Sequence, residues 1–357
     1  MEYNLVGEGS YGCVFKPSLP CFDKKDISYK NKISKLMLTK NALKEIEEYT
    51  IINRVDPKGD YYTGNPIQCT LKESPEVERA IKKCKLTKNK TMKQISQDSS
   101  LLIIGDGGRD LEKWVRSAVK PENTGQINDF WREMVRLFRG LQVFKAYDLV
   151  HHDLKPQNIV FRGETKRANF IDFGLMRSIK SEAAKCREVA SCKGASHWNY
   201  PTEIVFMNKK EFSLLAKQSV LERQSTFEMY MSNIRNKVNN PFVNAFSIMT
   251  TYIFKKEDNE RRKTFTDKYM MAWKELLLSI QPNNYDEFLN KTIVGFDVFG
   301  FGLTLLYVLS RLQSFMKNPK IVKQLDELFF KMMTPNIFVR LTIEQASAEY
   351  TRIIAGL

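Results

Sequence analysis

The sequence predicts an α+β protein with a small strand-rich N-terminal part and a larger helical C-terminal part. Residues 101–104 form an apolar run typical of a buried strand, whereas residues 42–55 show the apolar spacing of a helix. Apolar residues recur at helical spacing over 130–141 and fill the segment 294–309. A chain of 357 residues is long enough to bury a large core.

The N-terminus and one apolar segment bear on whether the protein is secreted or spans a membrane. Residues 1–4 do not begin a secretory leader, so nothing at this end predicts secretion. The apolar segment 294–309 contains Asp297 and is shorter than a bilayer span requires, so we expect a core helix and no transmembrane segment.

The cysteines show no paired C-x-x-C unit. They stand at Cys13, Cys21, Cys69, Cys84, Cys186 and Cys192. This scattered spacing predicts reduced thiols in a cytosolic-type compartment. It also makes Cys186, Cys192 and His197 ordinary side chains rather than zinc ligands.

The formal net charge of +15 predicts attraction to acidic proteins, nucleic acid or anionic membranes. Six lysines are concentrated in an N-terminal insertion at about residues 70–98, namely Lys82, Lys83, Lys85, Lys88, Lys90 and Lys93. Since no aromatic residue is interleaved with them, a solvated flexible loop is favoured over a stacking nucleic-acid site. Direct binding of nucleic acid stays open.

The polar segment after the helix at 130–141 carries the strongest chemical signal. It reads His151-His152-Asp153-Leu154-Lys155-Pro156-Gln157-Asn158, and Asp172-Phe173-Gly174 follows. Asp153 offers a carboxylate that can accept or orient the proton of a hydroxyl group. Asn158 and Asp172 offer the hard oxygens that magnesium prefers, and Lys155 offers a cation for a phosphoryl group. Together these residue types suit phosphoryl transfer.

These residues resemble the catalytic loop H-R-D-L-x-x-x-N and the metal loop D-F-G of eukaryotic-type protein kinases. Lys155 is similar to the serine/threonine branch of that family. His152 replaces an arginine that in the family often pairs with a phosphorylated activation loop. The resemblance therefore implies a serine/threonine protein kinase that is active without that phosphorylation, with ATP and Mg²⁺ (or Mn²⁺) as cofactors.

The resemblance extends to the N-terminal segment that would bind ATP. Gly7, Gly9, Gly12 and Val14 fit G-x-G-x-x-G-x-V, in which the glycines let backbone amides approach phosphates. Pro17 and Pro20 oppose the helix that a dinucleotide-binding fold would need next, so a phosphate-covering hairpin is favoured.

The family also implies a strand lysine that pairs with a glutamate of the next helix. Lys35 fits the lysine position, with Lys32 as the competing choice. Glu48 fits the glutamate position better than Glu45, which stays the alternative.

Three further positions match the family. Gly105 and Asp106 follow the predicted strand at 101–104 and are the implied hinge residues that bind adenine. Pro201-Thr202-Glu203 resembles a displaced A-P-E motif, and Arg340 resembles the arginine that pairs with its glutamate. Asp297 resembles the aspartate that accepts hydrogen bonds from the catalytic-loop backbone.

The resemblance implies a bilobal kinase-like fold with an N-lobe at 1–105 and a C-lobe at 106–357. The main departure is a long helical insertion at about 206–290, which we expect to pack on the C-lobe and which could dock a protein substrate or partner. Together with His152, such an insertion is similar to divergent kinases of large cytoplasmic DNA viruses, which implies host cytoplasm or the virion as the location.

Two other functions remain open at this stage. One is a small-molecule phosphotransferase, since such enzymes share an H-x-D-x-x-x-x-N loop. The other is a catalytically inactive nucleotide-binding scaffold of the pseudokinase type. Lys155 and the segment 201–203 favour protein substrates, and no catalytic group of the family pattern is missing.

Overall fold

The computed structural model describes residues 2–9, 12–119, 124–188, 192 and 197–357. The chain divides into a first unit, Met1–Gly108 with Asn169–Gly174, and a second unit, Arg109–Ala168 with Leu175–Leu357. It is α+β as predicted, with a small antiparallel sheet in the first unit and mostly helices in the second. The segment Asn169–Gly174, assigned to the second lobe from sequence, belongs to the first unit.

The first unit is built on a five-stranded antiparallel sheet in the order β1-β2-β3-β5-β4. The strands are β1 (Asn4–Gly9), β2 (Gly12–Lys16), β3 (Lys32–Leu38), β4 (Ile67–Cys69) and β5 (Ser99–Gly105). All of β5 before Gly105 is buried, which confirms the strand predicted at 101–104. Buried apolar side chains of β2, β3 and β5 form the core of this unit.

Three helices accompany this sheet: α1 (Thr39–Val55), α2 (Pro75–Ile81) and α3 (Met92–Asp98). Helix α1 confirms the helix predicted at 42–55. The lysine-rich insertion is not the loop favoured from sequence, because it contains α2, α3 and a hydrogen-bonded turn between them. Ser74 caps α2, and Thr91 with Gln94 forms a capping box that begins α3.

The state of the cysteines differs from the reduced thiols predicted from sequence. All six are disulfide-bonded, as Cys13–Cys84, Cys21–Cys69 and Cys186–Cys192. The prediction of reduced thiols is therefore wrong, and Cys186 and Cys192 have no thiolate to offer zinc. The first two pairs are 71 and 48 residues apart in sequence, and only the folded first unit brings them together.

The second unit consists mainly of ten helices in its described part. They are α4 (Leu111–Ala118), α5 (Thr124–Ala146), α6 (Ile179–Arg187), α7 (Lys209–Ala216), α8 (Val220–Arg235), α9 (Pro241–Ile253), α10 (Asn259–Ser279), α11 (Tyr285–Leu312), α12 (Pro319–Met333) and α13 (Ile343–Ile354).

Five short strands lie among the remaining described residues. They are β6 (Arg109–Asp110), β7 (Leu149–Val150), β8 (Ile159–Arg162), β9 (Arg167–Phe170) and β10 (Arg177–Ser178). Strand β6 pairs with β8, and β10 pairs with β7, both antiparallel.

Helix α11 is the core of the second unit. Among the described residues, only Tyr285–Phe315 is helical, long and apolar enough to cross a membrane, and 94% of its apolar window is buried inside the fold. This confirms the core helix predicted at 294–309. Helices α12 and α13 pack beside it, with Phe329 and Tyr350 fully buried.

The insertion predicted at 206–290 is helical and packs on the second unit. Tyr269 and Trp273 of α10 are completely buried, and the Trp273 ring stacks on Phe206 with centroids 5.7 Å apart. Met229 and Met271, from the same apolar patterns, are exposed instead. Most of the apolar periodicity in the insertion thus belongs to the core, as expected.

Removing the disulfide Cys13–Cys84 with a Cys13→Ser, Cys84→Ser double variant should lower the free energy of unfolding by about 4 kcal/mol, since it closes the longest loop. The shorter loop of Cys186–Cys192 predicts a loss of about 2 kcal/mol for the matched Cys186→Ser, Cys192→Ser variant. Urea unfolding under non-reducing conditions measures both. Thiol titration of the denatured, unreduced protein should find none, and six reactive thiols would contradict the pairing.

Candidate functional site

The polar segment 151–158 joins β7 to β8 in the second unit. A short 3-10 helix at Pro156–Asn158 ends it, with Lys155 just before. The Asn158 backbone N–H donates to the Lys155 carbonyl at 2.9 Å, which closes this turn. The segment is therefore held between two strands, and Asp153 and Asn158 are both buried.

The Asp153 carboxylate is the centre of this segment. Its Oδ2 accepts hydrogen bonds from Lys155 Nζ at 2.7 Å and from Asn158 Nδ2 at 2.8 Å. Its Oδ1 accepts a hydrogen bond from Asn199 Nδ2 at 2.9 Å. The structure thus brings together three residues predicted from sequence and adds Asn199, which carried no signal in the sequence analysis.

Asp297 of α11 supports the backbone of the same segment. Its Oδ2 accepts from the backbone N–H of His151 at 2.7 Å, and its Oδ1 accepts from that of His152 at 2.9 Å. Burial raises the pKa of Asp297, and the positive field of His151 and these two backbone donors oppose the increase. The role predicted for Asp297 is confirmed.

His152, which stands where the kinase pattern has arginine, lies in an aromatic cluster. Its ring centroid is 4.0 Å from that of Phe296 and 5.6 Å from that of Tyr200. Burial, and then the positive charge of Arg177, lower the pKa of His152 to about 4. The side chain is therefore neutral near pH 7 and packs as an aromatic ring.

A buried ion pair fixes the segment that resembles A-P-E. Glu203 Oε1 lies 2.6 Å from Arg340 Nη2, and both side chains are almost completely buried. Arg340 Nε also donates to the Thr334 carbonyl at 2.8 Å. The pairing predicted between Glu203 and Arg340 is confirmed. Because the pair is buried, removal of one partner leaves an uncompensated charge.

The glycine-rich segment of the first unit forms the hairpin of β1 and β2, as predicted. Gly9 is paired with Gly12 across the hairpin, and Val14 is paired with Lys35 of β3. A Cβ on Gly12 would lie 2.6 Å from the Leu36 carbonyl oxygen, so the close approach of β3 requires glycine there. Apart from its chain neighbours, no described residue has a heavy atom within 4 Å of a Cβ built on Gly9, so the described residues leave space beside this backbone.

Lys35 corrects the glutamate assignment. Lys35 Nζ lies 2.5 Å from Glu45 Oε2, so its partner is Glu45, the alternative, and not Glu48. The two glutamates are three residues apart on α1 and lie on the same side of the helix, which is why spacing alone could not separate them. Burial raises the pKa of Glu48, with the charge of Lys44 opposing the increase.

The segment Asp172-Phe173-Gly174 lies in the first unit beside Glu48. A Cβ on Gly174 would stand 3.5 Å from both carboxylate oxygens of Glu48 and from Asp172 Oδ1. Phe173 is buried and contacts Tyr49 of α1 edge to face, with ring centroids 5.7 Å apart. Asp172 has φ 65°, a backbone conformation that few residues other than glycine adopt.

Gly105 and Asp106, predicted to be hinge residues, lie at the end of β5. A Cβ on Gly105 would meet the carbonyl oxygen of Thr63 at 2.4 Å, so glycine is required there. Asp106 Oδ2 pairs with Lys16 Nζ at 2.7 Å, and the Asp106 backbone N–H donates to the Asn31 carbonyl at 2.9 Å. These contacts fix the backbone that follows β5.

The predicted residues fall into one group in each unit. The second unit brings together Asp153, Lys155 and Asn158, and the first unit contains the glycine-rich hairpin, Lys35 and the segment 172–174. Among the described residues, one cluster has metal-ligand chemistry, at Glu8, Cys13 and Cys84, but its cysteines form a disulfide. Comparisons with known protein families and with curated proteins find no match to this chain.

The lowered pKa of His152 predicts acid destabilisation of the second unit. The unfolded chain gains a proton near pH 6.5 and the folded chain only near pH 4, so stability is complete above pH 6.5 and falls as the pH approaches 4. The loss attributable to His152 should be about 3 kcal/mol. Urea unfolding at pH 7.5 and pH 4.5 should show less pH dependence for His152→Asn, because asparagine accepts this positive φ but does not titrate. An unchanged pH dependence would contradict a neutral His152.

Proposed function

We propose that this protein is an ATP- and magnesium-dependent serine/threonine protein kinase. The observation that carries the proposal is the Asp153 carboxylate, which is buried in a loop and held by hydrogen bonds from Lys155, Asn158 and Asn199. A fixed carboxylate beside a lysine is what transfer of a phosphoryl group to a hydroxyl requires. We propose the bilobal kinase-like fold on the same grounds.

In this reaction the substrate hydroxyl oxygen forms a bond to the γ-phosphorus of ATP. The bond from that phosphorus to the oxygen bridging the β- and γ-phosphates breaks, and ADP leaves with its electron pair. Asp153 orients the hydroxyl and receives its proton as the new bond forms. Lys155 Nζ lies 2.7 Å from Asp153 at the end of a long, partly exposed side chain. Its positive charge would neutralise negative charge on the transferred phosphoryl group.

The side chain of Asn158 fits a magnesium ligand. Its Nδ2 donates to both the carboxylate and the carbonyl oxygen of Asp153, each at 2.8 Å, so its Oδ1 is the atom that can be offered to a cation. Asp172, in the first unit, carries a carboxylate of the kind that magnesium also prefers. Bound magnesium would neutralise phosphate charge, and Mn²⁺ has compatible ligand preferences.

The first unit fits a nucleotide. The backbone beside Gly9 is open, and Gly7, Gly9 and Gly12 carry no side chain that would keep phosphates from their amides. Lys35, held by Glu45, would pair with phosphate oxygens, and the backbone at Gly105 and Asp106 would receive the adenine.

We propose acidic protein substrates because of the lysine-rich turn. Lys83 and Lys88 are exposed and take part in no ion pair among the described residues. The turn that carries them is anchored by the disulfide Cys13–Cys84 and by Glu8, which accepts from the Lys85 backbone N–H at 2.7 Å. An anchored set of cations attracts anionic partners at long range.

We also propose a viral origin and a location in the host cytoplasm or the virion. Both rest on the kinase resemblance alone. The disulfides remove the reduced thiols that supported a cytosolic-type compartment. The insertion at 206–290 remains a proposed docking surface for a substrate.

Phosphate transfer from MgATP to a panel of acidic and basic proteins tests the function. The unaltered chain should modify serine or threonine, and Asp153→Asn and Asp172→Asn should each lower kcat at least about 100-fold while the protein stays folded. Quantitative phosphopeptide mass spectrometry measures the transfer. ATP binding without transfer by the unaltered chain would point to the scaffold, and transfer only to small molecules would point to the other phosphotransferase.

The same panel tests the acidic-substrate proposal. A Lys83→Glu, Lys88→Glu variant should raise KM for acidic proteins several-fold at low salt, and this difference should shrink at high salt. A matched Lys317→Glu, Lys320→Glu variant changes the net charge equally near the start of α12, on exposed lysines of the second unit that lie outside the segment 206–290. Equal effects of the two variants would contradict a specific role for the turn.

The Lys35 partner is tested by comparing Glu45→Gln with Glu48→Gln. Since Glu45 holds the Lys35 ammonium, Glu45→Gln should lower kcat/KM for ATP about tenfold, corresponding to about 1.4 kcal/mol. Glu48→Gln should have the smaller effect, because Glu48 is not in contact with Lys35 in this structure. Steady-state kinetics with varied ATP measures both. The reverse order would return Glu48 to the role first predicted.

A further inference from the structure

We infer that Asn199 is a positioning residue for Asp153 and that His197 fixes the orientation of the Asn199 amide. The inference rests on the proposed function, because the role assigned to Asp153 comes from it. The contact itself lies within the second unit and can be measured without any enzymatic assay.

The Asn199 amide is almost completely buried, at 2% exposure, and both of its ends have a partner. Nδ2 donates to Asp153 Oδ1 at 2.9 Å, and Oδ1 is in contact with His197 Nδ1. An amide carbonyl can only accept a hydrogen bond, so Nδ1 of His197 is the donor. This contact prevents the amide from turning its carbonyl oxygen toward the carboxylate, where two acceptors would repel each other.

The turn at 197–200 that carries Asn199 is supported on both sides. The Tyr200 backbone N–H donates to the His197 carbonyl at 3.0 Å. The Trp198 ring lies 4.5 Å from Tyr252 of α9, and the Tyr200 ring meets Phe296 of α11 edge to face at 5.3 Å. These neighbours hold the Asn199 side chain in place by packing, as a precisely oriented site requires.

The donors around Asp153 divide its two oxygens between different tasks. Lys155 and Asn158 both donate to Oδ2, which occupies the two lone pairs of that oxygen. Asn199 donates to Oδ1, and no other residue that the structure describes donates to that oxygen. The acceptor hydroxyl is therefore received at Oδ1. Asn158 and Asn199, one on each oxygen, fix the plane of the carboxylate even when Lys155 moves to a phosphoryl group.

The inference predicts separate effects for three substitutions. Asn199→Ala should lower kcat about 10- to 100-fold with less than a twofold change in KM for ATP, because the first unit is untouched. His197→Ala should lower kcat less, because it frees the amide without removing it. Asn199→Asp replaces the amide donor with a carboxylate that repels Asp153, so it should lower kcat at least as much as Asn199→Ala.

A merely structural role for Asn199 gives a different pattern. It predicts that Asn199→Ala and Asn199→Asp lower kcat only in parallel with the unfolding temperature. Steady-state kinetics together with thermal unfolding separate the two cases. An unchanged kcat for Asn199→Ala, or a loss of kcat that follows the loss of folded protein, would overturn the inference.

A spectroscopic measurement keeps the inference testable if the unaltered chain transfers no phosphate. In protein labelled with ¹⁵N-asparagine, the side-chain amide signal that is missing from Asn199→Ala belongs to Asn199. That signal should shift in Asp153→Asn and in His197→Ala, and it should not shift in Glu45→Gln, a control in the first unit. An Asn199 amide signal whose chemical shift is unchanged in Asp153→Asn would overturn the inference, whether or not the protein transfers phosphate.

Discussion

The two hydrogen bonds from the His151 and His152 backbone to the Asp297 carboxylate are the constraint on which the rest of the site depends. They tie the polar loop to α11, the largely buried core helix of the second unit. Each buried backbone N–H would otherwise lack a partner at a cost of about 1–3 kcal/mol. With the loop fixed at its start by Asp297 and closed at its end by the 3-10 helix, Asp153 has little freedom to move.

Charge is buried in this unit only where it is compensated. Asp297 accepts two backbone donors, and Glu203 pairs with Arg340 at 2.6 Å. His152 is also buried, against Phe296, but it carries no charge near pH 7 because burial lowers its pKa. The loop and the segment at 201–203 are thus held by paired charges, backbone hydrogen bonds and aromatic packing.

Local apolar spacing predicted the helix at 42–55 and the strand at 101–104, which the structure contains. The support by Asp297 and the pairing of Glu203 with Arg340 are long-range contacts, which the resemblance to kinase motifs implied and which local spacing could not predict. The disulfides Cys13–Cys84 and Cys21–Cys69 were missed because their partners meet only in the folded first unit. Asn199 was missed because its importance comes from a tertiary contact, and Glu45 was ranked below Glu48 because both lie on one side of α1.

We propose that the loop anchored by Asp297 presents Asp153 for phosphoryl transfer to a protein hydroxyl. Single-turnover transfer from radiolabelled MgATP, with ATP affinity measured in parallel, tests it most directly in the unaltered chain and in Asp297→Asn. We expect the unaltered chain to transfer phosphate. We expect Asp297→Asn to bind ATP with equal affinity and to transfer phosphate at least about tenfold more slowly. An unaltered chain that binds ATP without transferring phosphate, or a variant that transfers it equally fast, would contradict this role of the loop.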